Sequence, residues 1–290
     1  MTNTATYTAI ITPFKNDKID EKALEKIIEM QIKNGIDGIV PCGTTGESPT
    51  LSHEEHNRLI ELSVEIANKR IKIMAGTGSN STQEAVSMTN YAKKVKADCC
   101  LIVAPYYNKP TPHGVFMHFQ ELDKVNIPLI IYNIPGRSVI NISDENLAKI
   151  AELKNVQGIK DATGDLARVA NLRLLVKKPF LYLSGEDATV VGFNAMGGNG
   201  VISVTANIAP KMVSDLQKFS LNGDYKSALE LQDKLTDLHN AMFCETNPIP
   251  VKYAMSLMGL CDPQIRLPLC QPSDSAKERI KKALQKLNLI

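Results

Sequence analysis

One lysine stands where an apolar segment runs into a glycine-containing turn, in the stretch GIKDATGDL at residues 158–166. Side chains alternate along a strand, so Lys160 would share a face with Gly158 and Ala162, which are small enough to leave room for a bound molecule. A lysine with a pKa of about 10.4 is neutral in only about one molecule in 2,500 at pH 7, and burial lowers that pKa. The neutral amine can attack a ketone and form a Schiff base, whose iminium makes the adjacent carbon an enamine nucleophile without any cofactor. Lys160 therefore predicts aldolase chemistry, and the plainer alternative is a strand end solvated at the surface.

Residues with hydroxyl groups lie near the ends of three other apolar segments. Tyr132 ends the segment that precedes Lys160, and Thr44 and Tyr107 end two more. A single tyrosine is most simply a half-buried core ring, but three hydroxyls at three segment ends favour proton transfer. We expect Tyr132 to be the acid-base residue, with a relay through Thr44 and Tyr107.

Two features of the sequence could hold carboxylate groups. The turn GTTGE at residues 43–47 offers successive backbone N–H groups and the hydroxyls of Thr44 and Thr45. Arg137 follows the segment at 127–135 and could grip a second carboxylate through two parallel hydrogen bonds. Each feature has an ordinary alternative, which is a connecting turn for the first and a surface ion pair for the second.

Eight short apolar segments would position these residues. They are bounded by Gly, Pro or Asn, as is typical of parallel strands buried on both faces. The segments are residues 7–14, 35–43, 71–78, 97–107, 127–135, 156–163, 180–187 and 200–205. Helical patterns follow most of them at a spacing of roughly 25 to 35 residues, which predicts a (β/α)8 TIM barrel with its active site at the C-terminal strand ends. An open doubly wound sheet is the alternative, but its GxGxxG turn does not follow the first segment.

Signals in the connecting segments and the C-terminal part define the expected organisation. Capping-box sequences at Ser52 and Ser81 begin two helices in equivalent places. We expect residues 1–223 to form the barrel and residues 224–290 to form a C-terminal region of three helices. That region has no strand-like segment, so it should pack on the barrel or on a neighbouring subunit.

The composition is that of an ordinary soluble protein. Charged residues make up 22% and the formal net charge is +2 with no basic block, which argues against a nucleic acid partner. The N-terminal stretch MTNTATYTAI lacks the features of a secretory signal, and no run of about 18 apolar residues predicts a membrane span. A cytoplasmic location is therefore expected. The six cysteines show no metal-ligand spacing, so we expect reduced thiols and no bound metal.

The motifs together resemble those of the pyruvate-dependent Schiff-base aldolase superfamily, and within it the dihydrodipicolinate synthase family. The resemblance runs nearly end to end and is carried by ITPF (11–14), GTTGES (43–48), AGTGSN (75–80), PYYNKP (105–110), YNIPGR (132–137), GIKDATG (158–164), SGED (184–187), GVISV (200–204) and NPIPVK (247–252). It implies a cofactor-free lyase that condenses pyruvate with L-aspartate 4-semialdehyde to 4-hydroxy-tetrahydrodipicolinate. That reaction is the first committed step toward diaminopimelate and lysine.

The resemblance also implies roles for single residues. Lys160 would form the imine with pyruvate, Tyr132 would move the protons, and the turn at Thr44 and Thr45 would bind the pyruvate carboxylate. Two further positions match residues near the bound pyruvate: Gly185 and Ile202.

Arg137 does the most to separate the relatives. An arginine after NIPG is the mark of synthases that take aspartate semialdehyde, whereas sialic-acid lyases and sugar-acid aldolases usually carry another residue there. A sialic-acid or 2-keto-3-deoxy sugar-acid aldolase is therefore the nearest alternative. A catalytically silent barrel that only senses an amino acid is the alternative from another class.

Assembly and regulation are implied by the same resemblance. Tyr107 would cross a dimer interface to complete the relay in the neighbouring subunit, and the assembly would be a homotetramer built as a dimer of dimers. L-lysine would bind at that interface as a feedback inhibitor. Its pocket would be formed by Ser48, His53, His56, Asn80, Glu84 and Tyr106.

Overall fold

Eight parallel strands close into a barrel in the computed structural model, which describes residues 5–290. Each strand pairs with its neighbours in the sequence, and the last pairs with the first. The strands are β1 Ala5–Thr8, β2 Gly38–Ile39, β3 Lys72–Gly76, β4 Cys99–Val103, β5 Leu129–Asn133, β6 Val156–Asp161, β7 Leu181–Ser184 and β8 Gly200–Ser203. The predicted (β/α)8 TIM barrel is confirmed, and the doubly wound alternative is wrong.

The helices that connect the strands lie on the outside of the barrel. They are α1 Glu21–Lys33, α2 His53–Ala67, α3 Thr82–Lys94, α4 Pro112–Asp123, α5 Pro135–Ser138, α6 Asp144–Ala151, α7 Ala167–Leu175, α8 Val190–Ala195 and α9 Pro210–Leu221. Short 3-10 turns lie at Ser48–Thr50, Asp187–Thr189 and Thr205–Asn207. None of the helices in the described part of the chain has the length and apolarity needed to cross a membrane.

Three C-terminal helices complete the fold, as predicted. They are α10 Tyr225–Met242, α11 Ile249–Leu257 and α12 Asp274–Lys286. Leu238 on α10 and Ile280 on α12 are fully buried in the same apolar cluster as the outer faces of the strands. The region therefore packs on the barrel, while its exact division from the barrel at residues 223 and 224 stays a prediction.

Strand side chains divide between two apolar clusters because successive residues point to opposite faces. Ile159 and Ile131 belong to the cluster between strands and helices. Tyr132 and Ile202 belong to the second cluster, which fills the barrel interior. Lys160 neighbours Ile159 on β6, so the alternation directs its side chain into the barrel.

Two local predictions differ from the structure. The segment at 7–14 forms a strand only as far as Thr8, and Phe14 instead begins a small antiparallel hairpin, Phe14–Lys15 with Lys18–Ile19. The capping box at Ser52 is complete, with Glu55 accepting from the Ser52 backbone N–H. The box at Ser81 is only half formed, because the side chain of its Glu84 accepts a hydrogen bond from the Ser79 hydroxyl instead.

Candidate active site

Lys160 lies at the C-terminal end of β6 and is almost completely buried, with 6% of its surface exposed. Its ammonium lies 4.2 Å from the centre of the Tyr132 ring, on the adjacent strand β5, where the two residues are register partners. An aromatic face at that distance attracts the cation, and burial removes the water that would otherwise solvate it. The solvated surface lysine that was the alternative is not what the structure contains.

A cavity of about 530 Å³ opens at the C-terminal ends of the strands. Tyr132, Thr44 and Arg137 all line it. The fold thus brings three of the predicted residues together from two connections, with Tyr132 and Arg137 at the end of β5 and Thr44 after β2. Lys160 is not part of the cavity wall, but it contacts Tyr132, which is. The volume is in the range of small-molecule sites.

Tyr107 is not with them in the single chain. It is 91% exposed and its backbone lies in the left-handed region, with φ 69°. A residue other than glycine in that region stores backbone strain, which proteins concentrate at functional sites. The chain therefore holds this tyrosine outward from its own barrel.

The turn at residues 43–48 has a defined set of free donors. The backbone N–H groups of residues 46–48 donate to carbonyl groups inside the turn, at 3.1 to 3.3 Å. The N–H groups of Gly43, Thr44 and Thr45 have no partner among the described residues, so the nest of donors expected along the turn narrows to these three. Two adjacent amides and their hydroxyls suit one carboxylate group.

Arg137 lies in α5 on the exposed side of the cavity. Its Nη2 donates to the main-chain oxygen of Asn247 at 3.0 Å. No carboxylate among residues 5–290 forms an ion pair with it, so the surface ion pair considered from the sequence is absent from the described chain. The guanidinium keeps most of its donors for a ligand.

Gly185 and Ile202 frame the barrel mouth on the side of β7 and β8. A Cβ at Gly185 would lie 2.6 Å from the Cβ of Ala162, so the close approach of the two segments requires glycine. The Gly185 N–H donates to the Asp161 carbonyl at 2.7 Å, and Ile202 is buried in the interior cluster.

Most of the expected effector residues line the same cavity as the catalytic candidates. These are Ser48, His53, His56, Glu84 and Tyr106. Asn80 is not in the cavity wall, and its carbonyl accepts a hydrogen bond from the Asn108 amide. His53 Nε2 lies 3.2 Å from the Glu84 Oε1 atom. One continuous cavity thus joins the two expected sites.

His56 of α2 belongs to the cavity wall, as expected of an effector-pocket residue. It is buried, and its Nε2 hydrogen-bonds to the Gly76 carbonyl at 2.9 Å, which makes that nitrogen the donor. Burial lowers the pKa of His56, and the Gly76 bond opposes this shift. The ring is therefore a neutral part of the wall between α2 and β3.

Three groups beside the site carry no prediction from the sequence: Glu186, the buried ion pair of Glu47 with Lys252, and Asn247. Burial raises the pKa of the Glu186 carboxyl, Asp187 adds to the rise, and the charge of Lys160 opposes it. Lys252 is the single charged residue of α11. A lone charge in an apolar helix is a sequence signal from which a buried ion pair could have been predicted.

Metal-ligating side chains are dispersed over residues 5–290. No three His, Cys, Asp or Glu side chains lie together there as metal ligands would. All six cysteines are free thiols.

Comparison with known proteins is consistent over the whole chain. A family model described as the dihydrodipicolinate synthetase family matches residues 3–287. The 4-hydroxy-tetrahydrodipicolinate synthase of Parvibaculum lavamentivorans is 53% identical, over 98% of each chain. The chloride-inhibited dihydrodipicolinate synthase of Acinetobacter baumannii, solved with pyruvate, is 44% identical with a TM-score of 0.97 over 100% of each chain. The enzyme of Cyanidioschyzon merolae, solved with lysine bound, is 34% identical with a TM-score of 0.95 over 99% of each chain.

A closed eight-stranded barrel with a lysine buried at its C-terminal end defines a class, the TIM-barrel lyases of the aldolase type. The full-length matches are more specific, and the chain belongs to the dihydrodipicolinate synthetase family. The resemblance carried by its motifs is confirmed, as are the enzyme class and the use of pyruvate in diaminopimelate and lysine biosynthesis.

Proposed function

We propose that Lys160 forms an imine with pyruvate and that the resulting enamine condenses with L-aspartate 4-semialdehyde. The observation that carries this proposal is the burial of Lys160 at the barrel mouth against the ring of Tyr132. A desolvated amine beside a phenol has both the nucleophile and the proton carrier that imine chemistry needs.

The first half-reaction uses the residues around the cavity floor. The amides and hydroxyls at Thr44 and Thr45 hold the pyruvate carboxylate, and the Lys160 amine attacks the ketone carbon. One water molecule leaves as the imine forms. Tyr132 then removes a proton from the methyl group, which gives the enamine.

The second half-reaction brings in the aldehyde. Arg137 holds the carboxylate of L-aspartate 4-semialdehyde, and the enamine carbon attacks the aldehyde carbon, whose oxygen takes a proton through Tyr132. The amine of the bound semialdehyde then attacks the imine carbon. This transimination closes the ring, frees Lys160 and releases 4-hydroxy-tetrahydrodipicolinate.

We place Tyr107 in the active site of a neighbouring subunit, where it joins the relay of Thr44 and Tyr132. The support is its 91% exposure, which leaves the ring without a contact in its own barrel, together with its left-handed backbone conformation. The working unit is then at least a dimer, and we expect a homotetramer in the cytoplasm.

L-lysine is the proposed effector at the part of the cavity lined by His53, Glu84 and Tyr106. The Glu84 carboxylate can bind an ammonium group, and the Ser48 hydroxyl can donate to a carboxylate. The relative from Cyanidioschyzon merolae that was solved with lysine supports this assignment.

Arg137→Ala tests the choice of aldehyde. We expect the KM for L-aspartate 4-semialdehyde to rise at least about tenfold, because a charge-assisted bidentate contact is lost. Imine formation with pyruvate should be unchanged, since Arg137 acts on the second substrate. Arg137→Lys is the matched control, because it keeps the charge without the planar fork and should recover only part of the loss.

An unchanged KM for the semialdehyde in Arg137→Ala would contradict the proposal. Turnover of N-acetylmannosamine or of a sugar-acid aldehyde in preference to L-aspartate 4-semialdehyde would instead establish the sugar-acid aldolase alternative. The KM is measured from initial rates, and mass spectrometry of the products identifies the aldehyde that was used.

A further inference from the structure

Asn247 contacts both of the groups proposed to bind carboxylates, although it lies in the C-terminal region far along the chain. Its side-chain Nδ2 donates to the Thr45 hydroxyl oxygen at 3.0 Å. Its main-chain carbonyl accepts from Arg137 Nη2 at 3.0 Å. The residue is 6% exposed, so water does not compete freely for either bond.

The bond to Thr45 decides what the hydroxyl of that residue can do. A threonine hydroxyl carries one hydrogen and two lone pairs. Because the oxygen accepts from the Asn247 amide, its hydrogen points elsewhere and is available as a donor. Thr45 is 2% exposed, so this donor is not saturated by bulk water. It lies in the same turn as the free N–H groups of Gly43, Thr44 and Thr45, so this turn has four donors.

The segment that carries Asn247 is fixed to the turn at a second point. Lys252 on α11 forms a buried ion pair with Glu47, two residues after Thr45. The Glu47 carboxylate also accepts from the Arg266 backbone N–H at 3.1 Å. The C-terminal region therefore holds the turn at both Thr45 and Glu47, and the amide of Asn247 has a fixed place from which to act.

We propose that Asn247 is a positioning residue of the synthase: its amide directs the Thr45 hydroxyl toward the pyruvate carboxylate, and its carbonyl holds Arg137 for the second substrate. The inference rests on the proposed carboxylate-binding roles of Thr45 and Arg137. The two contacts of Asn247 can be tested separately. A substitution changes the side-chain amide and leaves the main-chain carbonyl in place.

The test compares Asn247→Ala and Asn247→Asp with the unaltered enzyme. The readouts are the pyruvate concentration that gives half-maximal borohydride trapping on Lys160, and the KM for L-aspartate 4-semialdehyde. For Asn247→Ala we expect the half-maximal pyruvate concentration to rise about tenfold, because the hydroxyl loses its orientation. We expect the KM for the semialdehyde to stay within about twofold, because the carbonyl contact to Arg137 remains.

Asn247→Asp gives the sharper result. An ionised carboxylate accepts the Thr45 hydrogen and repels the pyruvate carboxylate, so the pyruvate requirement should rise more than in Asn247→Ala. An unchanged pyruvate requirement in Asn247→Asp would mean that Thr45 already donates to residue 247, and it would overturn the proposal. Thermal unfolding midpoints show which variants are folded, and either folded variant alone decides the question.

Thr45→Val removes the hydroxyl, so it provides the control in which the effect of Asn247→Ala is measured again. If Asn247 acts through the Thr45 hydroxyl, Asn247→Ala should add almost nothing to the pyruvate defect of Thr45→Val. A full additional loss there would show a merely structural role and contradict the proposal. Failure of the unaltered enzyme to trap pyruvate would instead contradict the proposed function itself, so the two failures are distinguishable.

Discussion

At the scale of single residues, the chemistry of the site depends on two buried polar residues, Lys160 and Asn247. Lys160 is directed inward because Ile159 packs outward, and the alternation of side chains made that direction predictable from the sequence. Asn247 was not predictable, because its bond to Thr45 joins residues 202 positions apart and no local pattern links them.

Tyr132→Phe separates the ring of that residue from its hydroxyl. The phenyl ring keeps its contact with the Lys160 ammonium, so the fold should be as stable as that of the unaltered protein. The loss of the proton carrier should lower kcat by about 10²- to 10⁴-fold. Pre-steady-state trapping of the imine and steady-state turnover measure the two steps, and full turnover in the folded variant would contradict the assignment of Tyr132.

At the scale of elements, buried polar pairs tie neighbouring helices and turns together. His118 on α4 hydrogen-bonds through Nδ1 to the Thr82 hydroxyl on α3 at 2.9 Å. Lys252 on α11 is paired with Glu47 in the turn after β2, and burial lowers the pKa of Lys252 while Glu47 raises it. These pairs fix helices of different connections against the barrel, and removing one partner would leave the other buried and unpaired.

Acid stability should depend on His118. Burial lowers the pKa of its imidazole to about 4, against about 6.5 in the unfolded chain, so the unfolded chain binds more protons between those values. The stability contributed by the neutral ring is fully present above pH 6.5 and is lost as the pH falls through about 4. Between pH 6.5 and pH 4 the free energy of unfolding of the unaltered protein should fall with decreasing pH. In His118→Gln this fall should be smaller by about 3 kcal/mol. Urea unfolding at a series of pH values measures this, and equal slopes for the two proteins would refute it.

The elements themselves were predictable to different degrees. The complete capping box at Ser52 follows from its sequence signature. The same signature at Ser81 did not predict its geometry, because the Glu84 side chain contacts Ser79 and His53 instead of the Ser81 backbone. The shortness of β2, Gly38–Ile39, was also not predictable, since the apolar run continues past Ile39 to the turn at residues 43–48.

At the scale of the whole molecule, the sequence predicts that the strand ends meet at one mouth, but it does not predict that the predicted sites share one cavity. Eight apolar segments predict the barrel, and the barrel places all strand ends at one mouth. The merging of the proposed catalytic and effector positions into one cavity of about 530 Å³ depends on the packing of α2 and α3, which the periodicity of the sequence does not describe. The contacts of the C-terminal helices with the turn at 43–48 are long-range for the same reason.

Subunit complementation tests whether Tyr107 acts across an interface. Tyr107→Phe and Lys160→Met each inactivate the sites to which they contribute. If Tyr107 acts in its neighbour, a mixed dimer regains one complete site, because the Lys160→Met chain supplies Tyr107 to an intact Lys160. Random mixing of equal amounts should then restore about a quarter of the unaltered activity. No recovery in mixtures that have demonstrably exchanged subunits would place Tyr107 in its own chain's site.

Lys160 is the penultimate residue of β6, and its imine with pyruvate is the step on which the whole proposed reaction depends. Reduction with borohydride in the presence of pyruvate, followed by peptide mass spectrometry, detects this imine. We expect one pyruvyl adduct, on Lys160, and none in Lys160→Met. Absence of an adduct in the folded protein, or an adduct on the other buried lysine, Lys252, would contradict it.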